Sequence, residues 1–144
     1  MPRHLPAKLT ITVVWTAQLY FVLMAYGDPF KYFGYQPFGE SSTWEATVVR
    51  VLPDGSRHDI RHGWEGYDWA AMVRGRGLDV PWHRHHAATG VDATLVRFQH
   101  ALDWVALHTP RDTEALYLEA EVRYVRNRGE PQEVTLRSVE RSAE

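Results

Sequence analysis

An α+β domain carried behind one membrane-crossing helix is the architecture this sequence predicts, and three observations predict it. The run LTITVVWTAQLYFVLMAY (9–26) has eighteen residues and no charge. ALYLEAEVRYVR (115–126) alternates apolar and polar at the period of a strand, and WEATVVRVL (44–52) is rich in β-branched residues. From 91 to 108, apolar residues return every three or four positions, the period of a helix with one covered face. The expected layout is therefore one N-terminal transmembrane helix, then a small antiparallel sheet of two hairpins (β-β-α-α-β-β) with helices on one face. The expected divisions are a cytoplasmic tail and anchor (1–27), an aromatic collar at the membrane surface (28–43) and an extracytoplasmic domain (44–144).

At about 1.5 Å per residue the uncharged run reaches about 27 Å, close to the roughly 30 Å of bilayer hydrocarbon. Arg3, Lys8 and the terminal amine precede it and Asp28 follows it. The positive-inside rule then leaves the N-terminus cytoplasmic and sends the rest across the cell membrane. A cleaved signal peptide competes, because Ala25 and Gly27 are small residues at the spacing a signal peptidase inspects, although the run is longer than the usual apolar region of such a peptide. A helix or strand buried in a soluble fold is a third alternative. Gln18 lies mid-run, where an amide needs a hydrogen-bonding partner that a second spanning helix can supply. Thr12 and Thr16 share another face, with Leu19 and Leu23 nearby, unless their hydroxyls bond back to their own helix. These three polar residues are the candidate contacts to an integral membrane partner.

GDPFKYFGYQPFG (27–39) breaks helix with two prolines and three glycines. Its Phe30, Tyr32, Phe33, Tyr35 and Phe38 suit headgroup depth, where a ring is half buried and a hydroxyl wet; the alternative is a loop whose rings pack on the domain. Next come a strand (44–52), the turn Pro53-Asp54-Gly55-Ser56 and a second strand in RHDIRH, a hairpin ended by Gly63. On the first strand Trp44, Ala46, Val48 and Arg50 share one face. WEGYDWAAMV (64–73) reads as a short helix weakened by Gly66 and stopped by Gly75 and Gly77. Asp92 is placed to cap the next helix, 91–108, whose Val91, Leu95, Phe98, Leu102 and Ala106 should cover the sheet. A second stripe, Val96, His100, Trp104 and Leu107, implies a second covering surface, either the 64–73 helix or another protein. In the strand 115–126, Leu116, Leu118, Ala120, Val122 and Tyr124 face the core while Glu119, Glu121 and Arg123 face water. NRGEPQ turns the chain into the last strand, EVTLRSV, and the tail ERSAE is polar and expected to fray.

Residues 28–144 suit one domain. With no cysteine, the chain has no disulfide, no thiolate zinc site and no thiol nucleophile. A net charge of −2 and a pI near 6.4 give no broad basic field for phosphate backbone, so nucleic acid is not an expected partner. His83, His85 and His86, with His58 and His62 near in sequence, raise the possibility of zinc or copper. The spacing argues against it: no H-E-x-x-H helix is present, and a solvated or interface loop explains the cluster. No other cofactor is expected. Glu65, Asp68, Asp79, Asp92 and Asp103 read as caps and solvated faces, Ser41-Ser42 lacks a nucleophile setting, and Gly75-Arg76-Gly77 reads as a helix stop rather than a phosphate loop.

Taken in order, the apolar helix, the aromatic box DPFKYFGYQPF, the strand and turn VVRVLPDGSRHDI, and the Trp-rich series WEGYDWAAMV, VPWHRHH and LDWVALH resemble extracytoplasmic segments of vitamin-K-dependent-carboxylase-like (HTTM) membrane proteins, their small membrane companions and lipase maturation factors. The resemblance spans 28 to 108. This chain lacks the several spanning helices of that family's enzymatic part, so no catalytic residue carries over. The resemblance implies a companion role beside a larger integral membrane protein. The expected function is thus a non-enzymatic, single-pass accessory or structural subunit docked on a membrane complex and held in the lipid bilayer. A small exported metal-dependent enzyme using the histidines, and an exported binding domain for a hydrophobic ligand using the collar, are the alternatives.

Overall fold

The uncharged run folds as helix. In a computed structural model of the chain, which describes residues 5–24, 40–75 and 77–141, helix α1 (Leu5–Met24) starts before the apolar run, taking in Pro6 and Lys8. Proline is tolerated in a first turn, where its missing N–H has no intrahelical partner to lose. The Thr10 and Thr12 hydroxyls donate to the carbonyls of Pro6 and Lys8, each at 3.0 Å, so Thr12 is bonded within its own helix. Contacts divide the chain into two units, 1–39 and 40–144. The collar positions Phe30, Tyr32, Phe33, Tyr35 and Phe38 lie outside the described residues.

In the second unit, β1 (Ser42–Val51) and β2 (Arg57–Asp59) form the first hairpin. Its turn closes through Leu52 N–H to Ser56 O (3.0 Å) and Gly55 N–H to Leu52 O (2.9 Å), with Gly55 at φ 82° and the Asp54 carboxylate accepting the Ser56 N–H at 2.8 Å. β4 (Tyr117–Arg126) pairs with β1 along its whole length, from Ser42 opposite Arg126 to Val51 opposite Tyr117, and β5 (Pro131–Arg137) closes the second hairpin. The sheet order is β2-β1-β4-β5, antiparallel throughout. A two-residue strand, β3 (His85–His86), joins the outer edge of β1 in place of the expected loop. Between β3 and β2 that edge is filled by Ala46 N–H to Pro81 O (2.7 Å) and Ile60 N–H to Val48 O (3.3 Å).

Helix α3 (Val91–Leu107) covers one face. Its Phe98, Leu102 and Val105 are buried with Trp44, Ala46 and Val48 of β1 and Leu118, Ala120 and Val122 of β4. The Trp44 ring meets Phe98 edge-on at 5.8 Å, and Trp69 stacks on Phe98 at 5.9 Å. Burying a side chain the size of Phe98 contributes about 1.5–3 kcal/mol. The helix expected over 64–73 shrinks to one turn, α2 (Trp69–Met72). Residues 64–67 instead close a tight turn through paired Trp64 and Tyr67 main-chain bonds of 3.0 and 2.6 Å, with Glu65 and Gly66 both at positive φ. Only then does Asp68 accept the Ala70 N–H at 2.8 Å and start α2.

Three further expectations are corrected. Asp92 does not cap α3: the Val91 N–H goes to Glu40 Oε1 at 2.9 Å, and Asp92 pairs with Arg126 at 2.6 Å. Glu119 does not face water, because Arg57 (2.5 Å) and Arg137 (3.0 Å) enclose its carboxylate at 6% exposure. The tail is not frayed as far as Arg141, whose N–H reaches Leu116 O at 2.8 Å and whose guanidinium bonds Thr109 O.

Candidate functional site

Helix α1 presents apolar side chains around its whole circumference. Leu9, Ile11, Val13, Val14, Trp15, Leu19, Tyr20 and Leu23 are exposed, Trp15 at 71%, and the stretch Pro6–Met24 has a mean hydropathy of 1.4 with none of it buried. A helix apolar all round requires apolar surroundings, whether protein or lipid. Thr12, Thr16 and Gln18 are exposed on it as well.

On the second unit, the outer stripe of α3 stays open among the described residues. Val96 is half-buried, His100 exposed, Trp104 46% exposed and Leu107 66% exposed. The 64–73 segment, expected as one possible cover, packs Trp69 against Phe98 on the inner stripe instead. The His108 ring stacks on Trp104 at 4.3 Å and an interplanar angle of 16°, with its Nδ1 2.7 Å from the Trp104 carbonyl. This fixes an indole at the surface with part of its face open.

The histidines do not converge. His83 is an exposed turn residue, and strand alternation sends His85 and His86 to opposite sides of β3. His85 lies 5.1 Å from the Trp44 ring with Nε2 2.9 Å from Val80 O, and it packs so closely over Gly77 that a Cβ there would sit 2.6 Å from His85 Nδ1. His58 is exposed on β2 and His62 lies in the turn after it. Among the described residues no three His, Asp or Glu side chains come together to hold a metal ion.

The sheet face away from α3 carries a shallow concavity of about 250 Å³ lined by Glu45, Ala46, Thr47, Arg61, Trp82, Glu121 and Arg123. The Arg61 guanidinium lies over the Trp82 ring at 5.7 Å. Arg57 donates to Glu121 at 2.7 Å, which with the nearby Glu119 carboxylate raises its pKa further, and the 2.9 Å bond that Arg123 donates to Glu133 does the same for Arg123. Charges of both signs alternate across this face and pair with one another.

Sequence reasoning missed a buried ionic cluster. Asp112, with no exposed side-chain surface, sits 3.1 Å from Arg50 and 3.4 Å from Arg141, and accepts the Ala115 N–H at 3.1 Å. The signal was Arg50 itself, which shares a strand face with Trp44, Ala46 and Val48 and so had to meet an acid inside. The cluster ties β1, the segment after α3 and the C-terminal segment together, a structural rather than chemical role. Comparison with protein-family models, curated proteins and solved structures finds no match for this chain.

Proposed function

We propose that this chain is a single-pass membrane-anchored accessory subunit that docks on a larger integral membrane complex, with its N-terminus cytoplasmic and its α+β unit extracytoplasmic. The observation supporting this is α1: a 20-residue helix with apolar side chains exposed on every side. At about 25 cal/mol per Å², such a surface is strongly unfavourable in water and favourable in lipid. The Gln18 amide, exposed on the same helix, is then the group that selects a helical partner over bare lipid, because hydrocarbon offers it no hydrogen bond. Trp104 and Leu107 supply a second contact on the α+β unit, in line with the companion role that the sequence resemblance implies.

A photo-crosslinking residue placed at position 18 and, separately, at position 104 of the full chain in its native membrane tests this. The proposal expects both to give an adduct with the same integral membrane protein. Lipid adducts alone at 18, together with no protein adduct at 104, would contradict it.

A further inference from the structure

The two edges of the sheet are treated differently. Along β1, the outward main-chain groups of Ser42, Ala46 and Val48 are taken by Ala87, Pro81 and Ile60, and β2 and β3 pair with the rest. Along β5, among the described residues, no further strand lies outside, and only the C-terminal end of the edge is met, by the Gln99 and Asp103 side chains of α3. The bonds Asn127 N–H to Ser41 O and Ser138 N–H to Leu118 O fix the alternation of the ladders. Gln132, Val134 and Leu136 therefore turn their main-chain groups toward β4, while Glu133, Thr135 and Arg137 turn theirs outward. Arg137 O already accepts from Gln99 Nε2 at 2.6 Å, which confirms its outward direction and leaves a second lone pair.

We infer that the β5 edge is a self-pairing surface whose partner is a second copy of this chain, joined in an antiparallel ladder centred on Thr135. In that register Thr135 faces its own counterpart and Glu133 faces Arg137 of the other copy, so each pair exchanges both main-chain bonds, about six in all. The charge pattern favours this register: the acid of each strand meets the base of the other, twice, on the open sheet face. Their present partners, Arg123 to Glu133 and Glu119 to Arg137, leave Glu133 49% and Arg137 64% exposed at the side chain, so both retain room for a second counter-ion. On the helix side the same register sets half-buried Val134 opposite half-buried Leu136 of the other copy. The ladder is also bounded at both ends. Pro131 has no N–H, and its opposite number, Val139, has its N–H taken by Asp103 at 2.8 Å. Charged side chains and proline also serve to protect an edge against pairing; what distinguishes this one is that the proline lies at the limit of the ladder and the charges of the two copies attract.

The test uses the full chain purified in detergent, where sedimentation reads its mass against concentration. Glu133→Arg alone and Arg137→Glu alone each set like charges across the two-fold and are expected to weaken dimerisation at least about tenfold. The Glu133→Arg/Arg137→Glu double variant restores opposite charges and is expected to recover it. Because the chain has no cysteine, Thr135→Cys supplies a register probe: oxidation should link two copies efficiently, whereas Thr47→Cys, on the same face but on β1, should not. A wild-type chain that stays monomeric, a dimer indifferent to all three charge variants, or equal linkage through positions 47 and 135 would overturn the inference. A monomer that accepts the β-strand of a different protein at this edge counts among those contrary results.

Discussion

Asp112 is the acid at the centre of the buried cluster with Arg50 and Arg141. Its carboxylate answers two guanidinia that are themselves only 12% exposed; without it Arg141 loses this ion pair and Arg50 is left with the more distant and exposed carboxylates of Glu65 (3.6 Å) and Glu114 (3.5 Å). Asp112→Ala is expected to lower the stability of the α+β unit by about 3–5 kcal/mol, read as a shift in denaturant midpoint by tryptophan fluorescence. Gly90 is a second sensitive position. It holds φ 89° at the start of α3, and a Cβ there would come 2.9 Å from Glu40 Oε2, the carboxylate that caps the helix. Gly55, at φ 82°, has nothing within 4 Å of a new Cβ. Gly90 also holds ψ 161°, a backbone region essentially confined to glycine, so Gly90→Ala should cost clearly more than the roughly 1–2 kcal/mol of backbone strain that Gly55→Ala incurs, and equal losses would contradict this. At the hairpin turn, the Ser56 hydroxyl and N–H hold the Asp54 carboxyl below its usual 3.8. A lowered folded pKa means its contribution is fully present above about pH 4 and lost as pH falls through the lowered value. Amide exchange at Ser56 should accelerate across that acid range in the wild type and be fast and pH-insensitive, beyond intrinsic exchange, in Asp54→Ala.

At the scale of elements, α3 carries two stripes with different duties. Phe98 is fully buried between Trp44 and Trp69, whereas Trp104 and Leu107 face outward. Phe98→Ala should destabilise by about 3–5 kcal/mol. The double variant Trp104→Ser/Leu107→Ser should stay within about 0.5 kcal/mol of wild type while reducing the protein adduct expected from a photo-crosslinking residue at position 18. A large stability loss in the double variant would make the outer stripe part of the core. Both stripes of α3 are legible in sequence, as are β1, β4 and β5, because period and composition agree along each of them. The 64–73 segment is not. WEGYDWAAMV has helical residues at its end, yet the choice between turn and helix rests on two main-chain bonds between Trp64 and Tyr67 that no side-chain pattern announces. β3 is equally hidden, since a two-residue strand has no period and is formed by the edge it completes. Glu40 as the cap of α3 joins residues far apart in the chain, whereas Asp92 is nearer and of the right type. Alternation alone assigns Glu119 to water, and its burial follows from arginines arriving from β2 and β5.

For the whole molecule, the α+β unit closes its own core, with one sheet face under α3 and the other covered by paired charges. The N-terminal helix leaves its apolar side chains exposed among the described residues, and that surface is what the proposed membrane anchor rests on. Composition alone makes that surface visible, whereas its surroundings depend on a solvent and a partner that no single chain encodes. The most direct measurement is the distribution of the full chain after an alkaline wash of membranes from cells that make it, with the intact mass of the recovered protein. A retained anchor predicts that the chain stays with the lipid fraction and keeps the mass of all 144 residues. Recovery in the wash with residues 1–27 still attached, or a mature chain lacking them, would contradict it.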